Sequence, residues 1–542
     1  MDTFIKNYWS LYMDFLEDFE EIEYKGISLP YLCHLPSLIL KDDQLLNELK
    51  SDDFSKNLKH QISNQKEFQE VFNHFIKLHE NPLQTNKDGK VVIHSDKLLR
   101  IPYNSIMEYF NPSKTIILGT KLGKVKQTPY YYKNKDKIDK YTRNNFRMRT
   151  DEKKYQKYRA KSLKENISQP KKLRAKSLLD VVNWNMNWEN LRKKRTENNI
   201  NTQYIKRKMS NYYLSNYEVN VKESINQVQK KAIDLFDSYK GHFFYDKNEF
   251  QKWFLNMIAT VINYVEMSER FLEKVSVSCI IVSTTHSYIN RILAIAAAKR
   301  GIPTICMQHG IISSELGYLP KIATIDAVYG NFERDWYKKM GAPRNGIEII
   351  GHPRFDQVFK PSRKSRAKFL KKLGVNPRRK AILIAVRGDA DNNSWRQLIR
   401  TISNNLNVNF LIKNYPSKQP HRLTKEFSNV YSTERMDIYD IFPHVDLVVA
   451  YSSTVGLEAM LANKEVFILN KGVIGDTDYY QRLGSLLQKE PRILGRYIVE
   501  YFTNSKFKKH SKKNRKIFLQ YAYPDTDKSG DRLQKLIQKL TS

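Results

Sequence analysis

Short apolar runs that end in polar loops and are followed by helical periodicity recur between residues 278 and 470, and this alternation constrains the fold most. Strands that alternate with helices require crossover connections, which place the strands side by side in a parallel sheet. The sequence therefore predicts an α/β fold. The predicted strands are Ser278–Ser283, Thr304–Met307, Ile347–Ile350, Ala381–Ala385, Asn409–Lys413, Asp446–Ala450 and Glu465–Leu469. The predicted helices between them are Tyr288–Arg300, Trp395–Asn405, Asp437–Phe442 and Val455–Ala462.

The strand-rich sequence falls into two stretches, Pro303–Asp356 and Ala381–Asn470, joined by a basic bridge after Pro361. In both stretches the polar residues follow the ends of strands. Ligands of open α/β sheets bind beyond the carboxyl ends of the strands. The sequence thus predicts two Rossmann-like domains that face each other across a cleft, with a nucleotide donor on one side and an acceptor on the other.

The chain has 542 residues, more than one compact domain usually holds. Aromatic residues recur at helical spacing near the start, as in Tyr8, Trp9, Tyr12 and Phe15, and this stripe predicts core packing rather than a binding box. Residues 218–275 are predicted to form a long helix. The predicted domains are a helical N-terminal region at 1–90, an acceptor-side Rossmann-like domain at 91–360 with a basic helical insertion at about 121–275, a nucleotide-donor Rossmann-like domain at 375–490, and C-terminal helices at 491–542.

The formal net charge of +35 is concentrated in one region, because residues 121–176 contain 20 Lys or Arg against five Asp or Glu. Such a region suits nucleic acid, an anionic membrane surface, a polyanionic substrate or a solvated face. No helix-turn-helix, zinc-finger or RNA-binding sheet pattern accompanies it, which disfavours nucleic acid. The predicted partner of the region is an anionic membrane surface or a negatively charged polymer that the region guides, with a plain solvated face as the alternative.

Cysteine usage and the N-terminal sequence bear on the compartment. Cys33, Cys279 and Cys306 are far apart and form neither a disulfide framework nor a zinc motif, which fits a reducing cytosol. The first residues lack the pattern of a signal peptide, and no run approaches ~18 uninterrupted apolar residues. We expect a cytoplasmic protein, peripheral at most on the inner face of the cell membrane.

Five motifs between about 280 and 475 occur in an order that resembles the CDP-glycerol glycerophosphotransferases, which polymerise teichoic acid backbones, and related capsule and surface-polysaccharide transferases. The resemblance implies the two-domain fold that is called GT-B among glycosyltransferases. The motifs are Gln308-His309-Gly310, Val328-Tyr-Gly330, Gly351-His-Pro-Arg-Phe-Asp356, Phe410-Leu-Ile-Lys413 and Asp446-Leu-Val-Val-Ala-Tyr-Ser-Ser453.

The sequence departs from the teichoic acid pattern at two places. Lys413-Asn-Tyr415-Pro416 stands where those polymerases have a His-Pro pair, and Ala450 stands where they have an Asp. The following Gly456-Leu-Glu458-Ala459 instead resembles sugar-nucleotide transferases. These departures favour transfer of a sugar over transfer of a polyol phosphate.

Transfer from a nucleotide donor requires a base for the acceptor's proton and groups that stabilise the leaving phosphate. His309 directly follows a predicted strand and is the candidate base, as the resemblance also implies. Gln308 and Gly310 are predicted to contact the acceptor or phosphate, since glycine lets the backbone approach a ligand. His352 is the second candidate, with fixing its own loop as the alternative role.

Ser452, Ser453 and Thr454 are predicted to bind the donor phosphate, because free N–H groups and the helix dipole attract anions where a helix begins. Simple N-capping is the alternative. Glu458, about one turn later, is predicted to bind ribose hydroxyls, as the similar Glu does in sugar-nucleotide transferases. The alternative is an exposed helical Glu.

Basic side chains at strand ends complete the predicted site. Arg387 and Lys413 end two predicted strands and are expected to neutralise the donor phosphates, and Arg354 to do so from the other domain. Asp389-Ala-Asp391 imitates a metal-binding Asp-X-Asp, but we interpret it as a loop. No metal and no cofactor are expected.

The leading hypothesis is a metal-independent glycosyltransferase that uses a CMP-, CDP- or UDP-linked sugar and a glycan or lipid-linked acceptor to build a cell-surface polysaccharide or glycoconjugate. The first alternative is transfer of a polyol phosphate from a CDP-linked donor. The second is a non-catalytic basic binding protein on a degenerate GT-B fold, and a nucleotide-sugar epimerase is a minor option. All enzymatic hypotheses require that the His309 loop and the turn at Ser453 share one site.

Overall fold

The computed structural model of the protein describes residues 1–120, 209–360, 365–388, 391–415, 419–433, 436–473, 475–523 and 528–542. The predicted basic region at 121–176 lies outside these residues, as do Asp389 and Pro416. None of the described helices combines the length and the apolar character that crossing a bilayer requires.

Helices and strands alternate through most of the described chain. The α-helices are α1 Thr3–Asp18, α2 Pro36–Ile39, α3 Asp43–Glu48, α4 Gln65–His79, α5 Tyr103–Tyr109, α6 Lys222–Phe236, α7 Asn248–Lys274, α8 Tyr288–Ala298, α9 Asn331–Lys339, α10 Arg366–Lys372, α11 Asn392–Ser403, α12 Leu423–Glu426, α13 Ile438–Ile441, α14 Thr454–Leu461, α15 Pro491–Thr503, α16 Ser505–Ala522 and α17 Ser529–Thr541. The strands are β1 Glu23–Tyr24, β2 Ile27–Ser28, β3 Lys90–His94, β4 Thr115–Gly119, β5 Ser210–Tyr213, β6 Val277–Val282, β7 Thr304–Met307, β8 Ile325–Val328, β9 Ile347–Ile349, β10 Lys380–Arg387, β11 Val408–Tyr415, β12 Val430–Ser432, β13 Leu447–Tyr451, β14 Glu465–Leu469 and β15 Leu487–Gln488.

The predicted Rossmann-like α/β class is confirmed, because the described residues contain two large parallel sheets of seven and six strands. By density of contacts the chain forms two compact units. The first comprises Met1–Ser95, Pro112–Thr304 and Pro320–Ala323, and the second comprises Asp96–Asn111, Ile305–Leu319 and Thr324–Ser542. The residues around His309 and those around Ser453 therefore belong to the same unit.

The prediction of one long helix over 218–275 is wrong. The chain forms α6 and α7 instead, separated by a 3₁₀ turn at Asp237–Tyr239 and by Gly241, whose φ of 81° lies in the left-handed region that glycine tolerates. The break lets the two helices fold back on each other, and Gln229 of α6 donates to the Leu255 carbonyl of α7 at 2.8 Å.

Aromatic side chains form the core of the first unit. The predicted stripe of α1 is buried, with Trp9, Tyr12 and Phe15 fully inaccessible to solvent. Trp9 stands 4.4 Å from Phe68 of α4 between ring centroids, and Phe15 stands 5.4 Å from Phe254 of α7. The N-terminal helices are therefore part of the core of this unit, as the spacing predicted.

The strands of the first unit are parallel and run in the order β5-β4-β3-β6. Val91 of β3 pairs with Thr115 of β4 on one side and with Cys279 of β6 on the other. All residues of β6 are buried, which explains its continuous apolar run. Cys33, Cys279 and Cys306 are buried free thiols, as expected.

The six-stranded sheet of the second unit has the order β12-β11-β10-β13-β14-β15 and is parallel throughout. The chain builds β10, β11 and β12 outward in one direction and then returns to place β13 on the other side of β10. The boundary between β10 and β13 is therefore the topological switch point, where ligands of open sheets bind. The same unit holds β7, β8 and β9, which pair in parallel through Ile305 with Ile325 and Asp326 with Ile347.

Candidate functional site

The turn between β13 and α14 lies at the carboxyl edge of the six-stranded sheet, beside its switch point. Ser452, Ser453 and Thr454 form this turn and are half-buried. Ser453 is the N-cap residue of α14, but its side chain makes no capping hydrogen bond. The Ser453 side chain therefore does not cap α14. Of the first four N–H groups of this helix, those of Gly456 and Leu457 bind within the chain, and those of Thr454 and Val455 are the ones that suit an anion.

The buried side chain of Tyr480 holds the backbone of this turn in place. Its hydroxyl donates to the Ser453 carbonyl at 2.6 Å and accepts the N–H of Leu457 at 2.9 Å. Tyr480 is only 2% exposed, so both bonds are shielded from water. A Cβ at Gly456 would lie 2.6 Å from the same hydroxyl, which explains glycine at that position.

The His309 loop follows β7 and is anchored on both sides of the histidine. Gln308 is buried, and its side-chain amide donates to the Gly310 carbonyl at 2.7 Å and to Glu333 at 3.0 Å, while its amide oxygen accepts the N–H of Tyr329 at 2.9 Å. His309 is half-buried and stacks on Tyr318 with ring centroids 4.8 Å apart and planes within 8°. The loop thus holds the imidazole against an aromatic face, while the Gln308 amide is used within the protein.

One hydrogen bond joins the His309 loop to the turn at Ser453. The N–H of Ile311 donates to Oγ1 of Thr454 at 3.1 Å. A Cβ at Gly310 would lie 3.2 Å from the same oxygen, so the two backbones approach closely. The candidate base and the candidate phosphate-binding turn are therefore adjacent, as the enzymatic hypotheses require.

Arg354 and Glu458 connect two further predicted positions. Nη2 of Arg354 donates to Oε1 of Glu458 at 2.8 Å, and both side chains are less than a tenth exposed. Burial alone lowers the pKa of Arg354, but the Glu458 carboxylate and Tyr439 outweigh it and raise that pKa. The alternative of an exposed helical Glu458 is wrong, because the carboxylate is buried against a guanidinium.

Arg100 brings a second guanidinium to the same place, and the sequence did not predict it. Burial and then the neighbouring Arg354 lower the pKa of Arg100, while Tyr329 and Glu458 act in the opposite direction. Arg100 has a φ of 51°, in the left-handed region that is costly for residues other than glycine. The charges of Arg100, Arg354 and Glu458 therefore act on one another in this part of the second unit.

His352 has the surroundings of a residue that fixes a loop. It is 1% exposed, and its Nδ1 accepts the backbone N–H of Arg354 at 3.0 Å. Burial and the Arg354 charge hold the pKa of His352 well below its usual range, so the ring is neutral. Of the two roles considered for His352, this geometry favours holding the loop that presents Arg354.

The other predicted cations have separate positions. The ammonium of Lys413 donates to the backbone carbonyls of Thr433 and Met436, so it stabilises the loop after β12. Arg387 ends β10 opposite Tyr415 of β11 and is half-buried. The carboxyl end of β10 therefore carries a cation beside the switch point, whereas the Lys413 charge is used on main-chain carbonyls.

Asp391 lies in a loop, as we predicted from the sequence, in which Asp389-Ala-Asp391 resembles a metal-binding Asp-X-Asp motif. It has a φ of 56° and accepts a hydrogen bond from the Tyr451 hydroxyl at 3.4 Å. Within the described residues, no three His, Cys, Asp or Glu side chains come together in a group that could hold a metal ion.

Five residues of the site were not predicted: Arg100, Tyr318, Glu333, Tyr439 and Tyr480. Only Glu333 has a local signal, because it follows Gly330 at the spacing of a capping box, and its Oε2 accepts the Gly330 N–H at 3.0 Å. The other four reach the site through long-range packing, which no local pattern indicates.

No protein-family model matches the chain, and no curated protein matches it. Among solved structures, the chain is similar to the wall teichoic acid polymerase TagF, with 14% identity, 54% of this chain and 76% of that chain covered, and a TM-score of 0.35. It is also similar to a glycosyltransferase from Rickettsia africae ESF-5, with 8% identity, coverage of 84% and 99%, and a TM-score of 0.44. A third is Anabaena Alr3699/HepE in complex with UDP and glucose, with 12% identity, coverage of 83% and 100%, and a TM-score of 0.42. The assignment of the chain to the α/β class rests on its own parallel sheets.

Proposed function

We propose that this protein is a glycosyltransferase that transfers a sugar from a nucleotide-activated donor to a glycan or lipid-linked acceptor of a cell-surface polysaccharide or glycoconjugate. The observation that carries the proposal is the hydrogen bond from the Ile311 N–H to Thr454, which sets the His309 loop beside the first turn of α14 at the sheet's switch point. A base and an anion site in direct contact are the two parts that such a transfer needs.

The donor phosphates bind at the first turn of α14 in this proposal. The N–H groups and the positive end of the helix dipole attract the phosphate, and Tyr480 keeps the turn in place before the ligand arrives. Arg100 and the Arg354–Glu458 pair place two guanidinium groups and one carboxylate in the surroundings of this turn. Negative charge that develops on the leaving nucleotide is thereby stabilised by fixed groups of the chain.

His309 takes the proton of the acceptor hydroxyl in this proposal. Stacking on Tyr318 restricts the ring to one plane, and Gly310 allows the backbone to approach Thr454 closely. A positioned general base contributes about 10²- to 10⁴-fold to a rate. The turn at Ser453 thus stabilises the leaving nucleotide, and the adjoining His309 loop of the same unit activates the attacking hydroxyl.

Nucleotide release tests the proposal. Purified full-length protein is incubated with UDP-sugars, CMP-sugars and CDP-glycerol, and release of UDP, UMP or CMP is followed with and without acceptor glycans. We expect release from a sugar donor and a loss of at least about 100-fold in His309→Ala. His510→Ala is the control, because His510 is exposed on α16.

The other results that this assay can give distinguish the alternative functions. Release of CMP from CDP-glycerol alone supports a polyol-phosphate transferase. Release from no donor, together with salt-sensitive binding of anionic polymers, supports the non-catalytic basic protein. Release by His309→Ala at the wild-type rate removes His309 as the base.

We further propose that the protein works in the cytoplasm and rests on the inner membrane face through residues 121–176, on the support of their charge. Flotation of the full-length protein with vesicles that contain anionic lipid tests this, in parallel with a variant that lacks 121–176. Equal flotation of the two proteins at low salt contradicts it.

A further inference from the structure

Glu333 is a buried carboxylate directly behind the His309 loop. It lies in the first turn of α9 and is fully inaccessible to solvent. Oε2 accepts the N–H of Gly330 at 3.0 Å, and Oε1 accepts the side-chain amide of Gln308 at 3.0 Å. Within the described residues no Lys, Arg or His forms an ion pair with Glu333. A buried negative charge without a cation is costly, so its presence here requires an explanation.

Gln308 has no freedom to turn its amide around. Its amide oxygen accepts the backbone N–H of Tyr329, which can only donate, so its nitrogen must face the Gly310 carbonyl and Glu333. The main-chain N–H of Gln308 donates to the Ala327 carbonyl, and its carbonyl accepts the Tyr329 hydroxyl at 3.1 Å. The Gln308 amide therefore holds the Gly310 carbonyl that follows His309, while the Tyr329 hydroxyl holds the Gln308 carbonyl that precedes it.

We propose that Glu333 is a positioning residue for His309: as a carboxylate it holds the Gln308 amide in the one orientation that fixes the His309-Gly310 turn beside Thr454. The proposal rests on the proposed function, in which His309 is the base. Both oxygens of Glu333 accept N–H donors, and the ionised form accepts them more strongly than the neutral acid does. A proton on Glu333 therefore weakens its hold on Gln308 and Gly330.

The surroundings of Glu333 make this contact sensitive to pH. The titratable groups that face it are tyrosines: Tyr318 after β7, Tyr329 at the end of β8, Tyr337 on α9, and Tyr479 and Tyr480 in the segment before α15. Burial raises the pKa of Glu333 to about 7, although the N–H groups of Gln308 and Gly330 favour the carboxylate. The ordered turn is therefore favoured above about pH 7 and is weakened as Glu333 takes up a proton below it.

Glu333→Gln tests the proposal, since it keeps the size of the side chain and places an NH₂ group against one of the two donors. We expect kcat to fall about 10- to 100-fold while the donor KM changes by no more than about twofold, because the turn at Ser453 is untouched. Both the base His309 and Glu333 contribute to the acid limb of the wild-type kcat profile, so this limb should be shallower in the variant, which lacks the Glu333 contribution near pH 7. A combined Gln308→Leu and Glu333→Gln variant should be no slower than the slower single variant.

Glu465→Gln is the matched control. Glu465 is also buried in the second unit, with its pKa raised by burial, but it begins β14 and pairs with Arg515. Glu465→Gln should keep the kcat and the pH profile of the wild type. The positioning role is overturned if Glu333→Gln keeps the kcat and the pH profile of the wild type. It is also overturned if the donor KM rises by as large a factor as kcat falls.

A readout without turnover separates this proposal from the proposed function. Amide hydrogen exchange of peptides that cover 308–312 should be faster in Glu333→Gln than in the wild type, and unchanged in Glu465→Gln, with β13 and α14 equally protected in all three proteins. Unaltered exchange at 308–312 overturns the proposal whatever the enzyme does. Faster exchange in a protein that releases no nucleotide supports the positioning of the turn and refutes only the proposed chemistry.

Discussion

Arg354 and Glu458 form a buried ion pair in the second unit, with 2.8 Å between Nη2 and Oε1 and less than a tenth of either side chain exposed. Arg354 follows β9, and Glu458 lies on α14. The pair therefore ties the loop that His352 supports to the helix whose first turn is the candidate phosphate site. It also explains why two motifs about a hundred residues apart in sequence belong to one site.

Removal of one partner of this pair should be strongly destabilising. Glu458→Ala leaves the Arg354 charge buried and uncompensated, and the expected loss in the free energy of unfolding is about 3–5 kcal/mol. The double variant Arg354→Met, Glu458→Leu should lose less than the single variants Arg354→Met and Glu458→Leu together. Urea unfolding measures all four variants. A loss below about 1 kcal/mol for Glu458→Ala would show that the pair is solvated in solution.

The bond between Ile311 and Thr454 should matter for turnover as well as for folding. Thr454→Val keeps the shape of the side chain and removes the oxygen that accepts the Ile311 N–H, at a cost of about 1–3 kcal/mol in unfolding free energy. We expect nucleotide release to fall by about 10- to 100-fold, since the His309 loop loses its contact with the turn. Thr454→Ser retains the hydroxyl and should stay near the wild-type rate. Equal rates for Val and Ser at this position contradict the role of the bond.

The Tyr480 hydroxyl should support binding of the donor. In Tyr480→Phe the Ser453 carbonyl and the Leu457 N–H lose their shared partner, so the first turn of α14 is held less firmly. Donor affinity, measured by calorimetry with UDP and CDP, should fall about 5- to 30-fold. Tyr501→Phe is the control, because Tyr501 is also buried in this unit but packs on Phe467. Similar affinities for the two variants would show that Tyr480 does not shape the site.

The neutral state of His352 predicts a loss of stability in acid. Burial lowers its pKa in the folded protein, whereas the unfolded chain takes up a proton near pH ~6.5, so stability is highest above that pH and falls as the pH drops towards the folded pKa. His352→Asn keeps a side-chain acceptor for the Arg354 N–H and cannot titrate.

The difference in unfolding free energy between wild type and His352→Asn should shift against the wild type by about 1.4 kcal/mol per pH unit between pH 6 and pH 5. A difference that is independent of pH would mean that His352 binds a proton in the folded protein as readily as in the unfolded chain.

Much of the fold was predictable because apolar runs bounded by polar residues define buried parallel strands. The predicted bounds of Thr304–Met307 and Glu465–Leu469 agree with β7 and β14. β10 and β11 extend further than predicted, since Arg387 and Tyr415 still pair through their backbones although their side chains are polar or exposed. Backbone pairing does not depend on the side chain, so hydropathy alone ends such strands early.

The candidate site was predictable only in part, for a related reason. His309 and Ser453 follow strands, and the rule that ligands bind at the carboxyl ends of strands identifies both. Arg100 and Tyr480 arrive from sequence-distant segments, and no local spacing announces them. The charged partner of Glu458 was missed as well, because burial of an ion pair is a property of packing between elements.

The central claim is that the His309 loop and the turn at Ser453 together hold a nucleotide-activated donor. The measurement that tests it most directly is a crystal structure of the protein soaked with CMP, CDP and UDP. We predict that a phosphate of the bound nucleotide accepts N–H groups of the turn at Ser453, within reach of His309 and Arg354. Nucleotide bound elsewhere on the chain, with this turn free of ligand at saturating concentration, would contradict the account.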